Sequence, residues 1–259
     1  MWHGSRVAIV VPARNEARLI GRTLASMPAW IDRIVVVDDA STDETSDVAR
    51  AVADPRVTVV RHAANRGVGA AIGTGYRTAF EDRADVAVVM AGDAQMHPGD
   101  LPSLLAPVVC GELDYAKGNR LAHPDVAHRM PLGRLIGNHV LSALTRLVTG
   151  LGVRDSQCGY TAITRNAAAR AGIDRLWPRY GYPNDLLGRL AAARLRVGDV
   201  VVRPVYADEQ SGIGLRHALF VVPWVLARVL ARRIAALAAR RVIEPEPRLE
   251  AREERLLDA

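Results

Sequence analysis

The sequence predicts an α/β fold in which a doubly wound, mostly parallel sheet is flanked by helices. Short β-branched apolar runs alternate with segments long enough to be crossover helices. The runs carry almost no polar residues, as in strands that are buried on both faces. Polar residues cluster directly after several of these runs. The composition, with 49% hydrophobic and 24% charged residues over 259 positions, is that of a globular protein and excludes disordered and collagen-like chains.

The first half of the chain contains four predicted strands, at residues 7–11, 34–37, 57–60 and 86–90. Three segments between them are predicted as crossover helices, at residues 16–27, 42–52 and 69–80. The second half is predicted to begin with a helix after Pro98. It continues with a strand at 114–118, a helix at 134–149, a short strand around 155–160, a helix at 183–195 and a strand at 197–206.

Polar residues follow the first, second and fourth predicted strands, at the sheet edge where doubly wound folds bind ligands. Asp38 and Asp39 end the second strand, where a carboxylate can accept hydrogen bonds from a base imide or from ribose hydroxyls. We favour that interpretation of the two carboxylates over a purely structural one. Ser41 is also predicted as an N-cap, because Glu44 three residues later completes a capping box.

Asp93 and Gln95 follow the fourth strand and are the candidate metal ligands. A hard divalent cation that carries a diphosphate needs only one or two carboxylates from the protein, because water and phosphate oxygens fill its other positions. A turn that leads into the helix after Pro98 explains these two residues equally well when they are taken alone. The two cysteines, Cys110 and Cys158, indicate reduced cytosolic thiols rather than a disulfide scaffold or a zinc site.

Six motifs occur in order along the chain: PARNE, VVVDDASTDET, NRGVGAAIGTGY, MAGDAQMHP, DSQCGYTAITR and GYPND. Together they resemble the family 2 glycosyltransferases with the GT-A fold, and within that family the dolichyl- or polyprenyl-phosphate mannosyl- and glucosyltransferases. The resemblance extends from about residue 7 to residue 212. It implies an inverting, metal-dependent hexosyltransferase that moves a sugar from a GDP- or UDP-sugar to a polyprenyl or dolichyl phosphate, with Mg²⁺ or Mn²⁺ as cofactor.

The resemblance also implies roles for individual positions of this sequence. Nucleotide-sugar-binding positions are implied at Pro12, Arg14, Asn15, Glu16, Val37, Asp38, Asp39, Ser41, Gly92, Asp93 and Gln95. The metal is implied on Asp93 and Gln95, and catalytic roles are implied for Asp93, Arg120 and Asp185. Arg120 falls on an arginine that contacts phosphates, and Asp185 falls on the acidic position beside the acceptor. With a lipid-phosphate acceptor Asp185 would orient the acceptor or place an arginine, whereas with a hydroxyl acceptor it would be the general base.

Two departures from the family pattern concern the donor site. The usual Asp-Ala-Asp-x-Gln motif lacks its first aspartate here, where Ala91 and Gly92 stand, so the metal site has one carboxylate fewer. The loop after the last strand, residues 208–212, carries no base beside its Ser and Gly. Two alternatives stay open: a family 2 enzyme with a soluble or saccharide hydroxyl acceptor, and a non-catalytic nucleotide-sugar sensor or membrane scaffold.

The formal net charge of +6 comes from one segment, residues 216–241. This segment contains six arginines and no acid, and the remaining 28 bases are balanced by 28 acids. The segment is otherwise mostly Leu, Val and Ala, without the polar side chains that read bases, so no nucleic-acid partner is expected. One or two amphipathic helices on an anionic membrane surface are predicted instead. A helix that packs on the core and exposes its arginines to solvent is the alternative.

The chain is therefore predicted to comprise a catalytic domain at residues 1–212, a basic amphipathic membrane-surface segment at 213–243 and a charged tail at 244–259. The longest uncharged apolar stretch, 218–227, is far shorter than the roughly 20 residues that span a bilayer. No transmembrane helix is predicted, and the first apolar run is too short for a signal peptide. We expect a cytoplasmic protein, peripheral on the inner face of the cell membrane, with a membrane protein as a further partner to consider.

Overall fold

The computed structural model describes residues 1–206 and 221–243. Its strands are β1 (Val7–Ala13), β2 (Arg33–Asp38), β3 (Val57–Arg61), β4 (Val86–Val89), β5 (Tyr115–Asn119), β6 (Thr161–Thr164) and β7 (Val197–Val201). Its α-helices are α1 (Ile20–Ala25), α2 (Thr45–Ala51), α3 (Val68–Glu81), α4 (Leu101–Val109), α5 (Val126–Arg129), α6 (Leu132–Thr149), α7 (Arg165–Ala171), α8 (Tyr182–Ala192) and α9 (Val222–Ile243).

The strands form one sheet in the order β3-β2-β1-β4-β6-β5-β7. The four strands from β3 to β4 in that order pair in parallel, as do β5 and β7. Only β6, among the strands of the described residues, runs antiparallel to its neighbours, β4 and β5. The predicted α/β fold, with a mostly parallel sheet and flanking helices, is confirmed.

Two hydrophobic cores lie on opposite faces of the sheet, and β1 contributes to both. Val7, Ile9 and Val11 pack with residues of α1 and α4, whereas Ala8 and Val10 pack with residues of α3, α7 and α8. Successive side chains of a strand point to opposite faces, so a strand covered on both sides must be apolar throughout. Each buried aliphatic side chain contributes about 1.5–3 kcal/mol, which favours this two-sided burial.

Two helices begin later in the chain than predicted. α1 begins at Ile20 rather than at residue 16, and residues 17–19 before it form a turn in which Leu19 donates its N–H to the Glu16 carbonyl at 2.9 Å. α2 begins at Thr45 with Glu44 in the N-cap position, so the prediction that Ser41 caps this helix was wrong. Ser41 instead accepts the backbone N–H of Asn15 on its Oγ at 3.0 Å, which joins the loops that follow β1 and β2.

Two strands in the second half of the chain also differ from the prediction. β7 ends at Val201 rather than at residue 206, because Arg203 donates its backbone N–H to the Asp100 carboxylate at 2.9 Å. β6 begins at Thr161, after a loop that the carboxylate of Asp155 holds by accepting backbone N–H groups. A side-chain acceptor far along the chain thus marks the end of β7, and a nearby one precedes β6.

A single helix, α9, occupies the described part of the basic segment, where one or two helices were predicted. It packs against α8 and α6. The predicted boundary after residue 212 and the tail at 244–259 lie outside the described residues, so the division into segments stays a prediction. Among the helices of residues 1–206 and 221–243, none is both long enough and apolar enough to cross a membrane.

Candidate active site

A cavity of about 640 Å³ lies at the carboxyl ends of β1, β4 and β5. Its polar lining includes Asp93, Gln95 and Arg120, beside Pro12 near the end of β1. Its apolar lining comes from α6, α8 and α9 and includes Val140, Leu141, Leu144, Tyr182, Pro183, Pro223 and Leu226. One cavity thus joins four of the predicted donor-site and catalytic residues to a largely aliphatic wall.

Among the described residues that line the cavity, Asp93 is the only acidic one. Its Oδ1 accepts the backbone N–H of Gln95 at 3.1 Å, in a turn where Ala94 has a left-handed φ of 58°. Burial raises the pKa of Asp93 above its usual range, because the carboxylate has lost water without gaining a cationic neighbour in the described part of the chain. A divalent cation would favour the ionised form, so this carboxylate fits a metal ligand.

The metal site suggested by the sequence is sparse. Residues 1–206 and 221–243 contain no group of three His, Cys, Asp or Glu side chains that could hold an ion. A metal at this cavity would therefore use the Asp93 carboxylate and the Gln95 amide oxygen, with the substrate and water completing its shell. Mg²⁺ and Mn²⁺ suit such oxygen ligands, and Mg²⁺ commonly binds through one or two carboxylates together with phosphates.

Arg120 follows β5 and is held by Asp155. Its Nε and Nη2 donate to the two carboxylate oxygens at 2.9 and 3.1 Å, and its backbone N–H donates to Oδ2 at 3.1 Å. Burial alone would raise the pKa of Asp155, but the Arg120 guanidinium outweighs burial and holds that pKa below its usual range. This two-point pairing fixes the guanidinium plane at the cavity wall, where a fixed cation can bind a phosphate.

Asp38 is fully buried below the donor loops and does not line the cavity. Its Oδ1 accepts the Ser41 N–H at 2.8 Å, its Oδ2 accepts the Ser46 hydroxyl, and Arg61 lies 3.5 Å from the same oxygen. Burial opposes ionisation, but the hydrogen bonds from the two serines outweigh it and lower the pKa of Asp38. Asp38 therefore fixes the loop after β2, and its contact with a nucleotide stays a prediction.

Asp39 connects the same loop to the start of α3. Its carboxylate accepts the N–H of Arg66 at 2.8 Å and that of Gly67 at 2.6 Å, and His62 Nδ1 lies 2.7 Å away. Gly67 has a φ of 96°, and a Cβ there would lie 2.5 Å from the carbonyl oxygen of Pro178. Glycine is thus required at position 67 for this close approach, and Asp39 supplies the acceptor for the N–H groups of Arg66 and Gly67.

The remaining predicted donor residues divide into exposed and buried ones. Arg14 and Asn15 are exposed on the loop after β1, and the Asn15 Oδ1 accepts the Thr42 N–H at 2.9 Å. Glu16 donates its backbone N–H to the Thr45 hydroxyl at 2.8 Å. Two others are buried: Val37 lies within β2 and Gly92 lies behind the cavity turn. The nucleotide contact implied for Val37 stays a prediction.

Asp185 lies near the start of α8, buried, and it is not among the residues that line the cavity. Its Oδ2 accepts the Nε of Arg189 at 2.7 Å and the backbone N–H of Trp177 at 3.0 Å. Its Oδ1 accepts Nη1 of Arg232 from α9 at 3.1 Å. Asp185 is outside the cavity lining and both of its carboxylate oxygens are engaged by these donors, so the geometry favours the alternative in which Asp185 places an arginine.

The arginines of α9 whose side chains are described turn toward the protein. The guanidinium of Arg228 lies 5.4 Å from the ring centre of Trp177, and Arg232 pairs with Asp185. Arg233 donates to the carbonyls of Leu147 and Val148, near the end of α6. These three arginines therefore do not form a face that is free of contacts with the rest of the protein. Arg216 lies outside the described residues.

Residues 8–172 match the sequence model of Glycosyl transferase family 2. The chain belongs to this family. This family 2 glycosyltransferase is 28% identical over 223 residues to the UDP-N-acetylglucosamine–dolichyl-phosphate N-acetylglucosaminyltransferase of Methanococcus voltae, covering 80% of this chain and 89% of the relative. It is 29% identical over 229 residues to the polyprenol monophosphomannose synthase of Mycolicibacterium smegmatis, covering 84% and 85%. The predicted resemblance to polyprenyl-phosphate sugar transferases is confirmed.

The family 2 glycosyltransferase also resembles solved structures in its fold. Glucosyl-3-phosphoglycerate synthase from Mycobacterium tuberculosis, in complex with UDP, superposes with a TM-score of 0.65 at 24% identity, covering 88% of this chain and 80% of that one. The same synthase with Mn²⁺ and UDP-glucose superposes with a TM-score of 0.64, over 88% and 79%. These likenesses show the fold, and the predicted GT-A architecture is confirmed.

Two residues of this glycosyltransferase contribute to the site without having been predicted. Asp155 orients Arg120, and Gln157 lines the cavity while its amide donates to Ser156 Oγ at 2.8 Å and to Asn184 Oδ1 at 3.2 Å. Both lie in the motif DSQCGYTAITR, whose acid and amide are a signal from which a polar role could have been predicted.

Proposed function

We propose that this family 2 glycosyltransferase moves a sugar, with inversion, from a GDP- or UDP-sugar to a polyprenyl or dolichyl phosphate. The observation that carries the proposal is the composition of the cavity. Asp93, Gln95 and Arg120 line its polar part, which suits a diphosphate, and aliphatic residues of α6 and α9 line the rest, which suits a prenyl chain. Two relatives whose names specify dolichyl-phosphate and polyprenol acceptors support this assignment.

The donor end is proposed to bind Mg²⁺ or Mn²⁺ through Asp93 and Gln95. Mn²⁺ accompanies UDP-glucose in the Mycobacterium tuberculosis synthase that shares this fold. When bound, such an ion neutralises the negative charge that develops on the leaving diphosphate. Two loops are proposed to contact the nucleotide: the loop after β1, with Arg14, Asn15 and Glu16, and the loop held by Asp38 and Asp39.

In the proposed reaction a phosphate oxygen of the acceptor attacks the anomeric carbon. A new C–O bond forms there while the bond to the donor diphosphate breaks, and its electron pair leaves with the nucleoside diphosphate. The acceptor oxygen is already anionic near neutral pH, so no protein base has to remove a proton. Arg120 donates charge-assisted hydrogen bonds to phosphate oxygens, because Asp155 fixes its guanidinium at the cavity wall.

Asp185 has a positioning role in this proposal. Its carboxylate joins α8 to α9 through Arg232, and α9 supplies Pro223 and Leu226 to the cavity wall. The segment at 213–243 is proposed to hold the protein on the cytoplasmic face of a membrane, where a lipid-linked acceptor resides. A hydroxyl acceptor would require a base, and Asp185 does not line the cavity where such an acceptor would bind.

A screen of the purified protein against UDP- and GDP-sugars, with and without Mn²⁺, tests the donor by thermal stabilisation. Transfer is then assayed with polyprenyl phosphate and, separately, with 3-phosphoglycerate and simple saccharides. Asp93→Asn should lower turnover with the lipid at least about 100-fold, because several kcal/mol of charge stabilisation is lost. Asp174→Asn is the matched control, since Asp174 is 71% exposed and remote from the cavity lining.

Transfer to lipid phosphate supports the proposal. Transfer to a saccharide or to 3-phosphoglycerate alone contradicts it and favours the hydroxyl- or soluble-acceptor alternative. Donor binding without hydrolysis or transfer contradicts it in favour of a nucleotide-sugar sensor.

A further inference from the structure

The amphipathic pattern of α6 is reversed relative to a helix on a globular core. Its buried side chains are small and polar, Ser142, Thr145 and Thr149. Its large apolar side chains are between 44% and 74% exposed: Leu132, Ile136, Val140, Leu144 and Leu147. Their spacing of three and four residues puts them on one side of the helix, and we call them the α6 stripe. A surface helix of a globular protein normally buries such residues.

Hydrogen bonds fix this orientation of α6. Thr145 Oγ1 donates to Asn184 Oδ1 at 3.0 Å, and Ser142 Oγ accepts the backbone N–H of Ser156 at 2.9 Å. Rotating the helix to bury its apolar side would leave the buried Ser156 N–H without its acceptor, at a cost of about 1–3 kcal/mol, and would remove one of the two donors to Asn184 Oδ1. The outward position of the α6 stripe is therefore built into the packing.

α9 buries Val225, Leu226 and Val229 against the protein, but it also leaves three large apolar side chains exposed, Trp224, Leu230 and Ile234. Arg232 and Arg233 contact the protein, and Arg228, itself exposed, lies over the Trp177 ring. The two helices pack against each other, and both contribute exposed residues to the cavity, Val140 and Leu144 from α6 and Pro223 from α9. The exposed apolar faces of the pair are thus continuous with the aliphatic wall of the cavity.

We propose that the α6 stripe inserts into the surface of a lipid bilayer, with the apolar face of α9 beside it, so that the cavity opens toward the hydrocarbon. The inference rests on the proposed function, because it gives a lipid acceptor a route that avoids water. Contiguous apolar surface on this scale marks an interaction site, and helices at a bilayer surface bury their apolar side by a few ångströms.

Charge favours a bilayer over a second copy of this chain. Residues 132–149 and 222–243 contain no acid, whereas Arg134 and Arg146 lie on α6 and five arginines lie on α9. A symmetric dimer through this face would bring basic helices against basic helices. An anionic lipid surface instead attracts nearby arginines and accepts the aliphatic side chains between them.

The test compares vesicle binding of the full chain and of variants at Ile136 and Leu147, two residues of the α6 stripe that do not line the cavity. The probes are vesicles of phosphatidylcholine with and without phosphatidylglycerol, in a co-sedimentation assay without sugar donor. The double variant Ile136→Ser/Leu147→Ser should bind at least about tenfold more weakly, because each aliphatic side chain withdrawn from hydrocarbon weakens binding by about that factor. Leu147→Phe should bind like the wild type.

Val201→Ser is the matched control, because Val201 is 51% exposed at the end of the edge strand β7, outside both helices. It should leave vesicle binding unchanged. Thermal stabilisation by the nucleotide sugar and turnover with a short, water-soluble prenyl phosphate should be unchanged in the serine variants. Turnover with a long polyprenyl phosphate embedded in vesicles should fall in parallel with binding.

Three results would overturn the inference: a wild-type protein that ignores both kinds of vesicle, serine variants that bind as the wild type does, or a wild-type dimer in light scattering that Leu147→Ser dissociates. Vesicle binding that depends on the α6 stripe, combined with no transfer to either prenyl phosphate, would instead leave the inference standing and reject the proposed acceptor.

Discussion

The substitution Asp185→Asn separates a structural role of this carboxylate from a catalytic one. Asp185 accepts hydrogen bonds from Trp177, Arg189 and Arg232, at 3.0, 2.7 and 3.1 Å. Asparagine keeps the size of the side chain but removes its charge. Its amide also presents N–H donors to one of the two guanidinium groups, which are donors themselves.

The expected loss follows from the exposure of the partners. A hydrogen bond to a charged group contributes about 1.5–3 kcal/mol net, and removing one member of a fully buried ion pair costs about 3–5 kcal/mol. The side chain of Arg189 is 11% exposed and that of Arg232 is 28% exposed. Water can therefore partly replace the hydrogen bond that Arg232 loses. We expect the free energy of unfolding to fall by about 3 kcal/mol, which lowers the melting temperature of a chain of this size by roughly 10 °C.

Urea unfolding followed by tryptophan fluorescence measures this loss, with Asp174→Asn as the exposed control, expected within about 0.5 kcal/mol of the wild type. A double-mutant cycle with Arg232→Met should give a coupling of about 1–3 kcal/mol between α8 and α9. Unchanged stability together with a large loss of transfer by Asp185→Asn would refute the structural role and restore Asp185 as a catalytic group.

Three further predictions use other parts of the molecule. Asp155→Asn should destabilise the protein at neutral pH. Because Arg120 lowers the pKa of folded Asp155, the difference from the wild type should shrink as the pH falls below about 3.9 toward that lowered pKa, in urea unfolding at each pH. Gly75→Ala should cost about 1–3 kcal/mol, because its Cβ would lie 2.1 Å from Val10 Cγ1 within the core. Gly73→Ala, on the same helix with its nearest atom at 3.7 Å, should instead stabilise by up to about 1 kcal/mol in that assay. Raising the salt concentration from 0.1 to 1 M shortens the screening length to about 3 Å. If aliphatic contacts dominate, vesicle binding should weaken only a few-fold. Loss of vesicle binding in 1 M salt would contradict a dominant aliphatic contribution.

The sheet was predictable because its signal is local. The runs that became β1, β2 and β4 are apolar, and burial on both faces leaves that pattern directly in the sequence. The ends of elements were less predictable, because they depend on partners far along the chain. Ser41 satisfied the local rule for an N-cap, yet its hydroxyl was taken by the N–H of Asn15 in another loop.

The cavity was predictable in position but not in detail. The rule that ligands bind at strand ends located Asp93 and Gln95, and the family resemblance implied Arg120. The structure brings these three residues together in one cavity. The pairing of Asp185 with Arg232 joins residues 47 positions apart on different helices, and no spacing rule identifies such a pair. The spacing of apolar residues predicted the α6 helix. That pattern alone would place the apolar side of the helix in the core. In the structure the polar side of α6 faces the protein, because it bonds to the buried residues Ser156 and Asn184.

The basic segment shows why charge and orientation have to be considered separately. Counted along the chain, six arginines without an acid favour an anionic partner. In the fold, Arg228, Arg232 and Arg233 contact the rest of the protein. Of the apolar residues of α9, Val225, Leu226 and Val229 are buried, whereas Trp224, Leu230 and Ile234 are exposed. The same helix supplies Pro223 and Leu226 to the cavity, so removing it would open the acceptor side of the site as well as any membrane contact. Truncation therefore cannot separate membrane binding from the integrity of the site, whereas serine substitutions on the exposed side of α6 can.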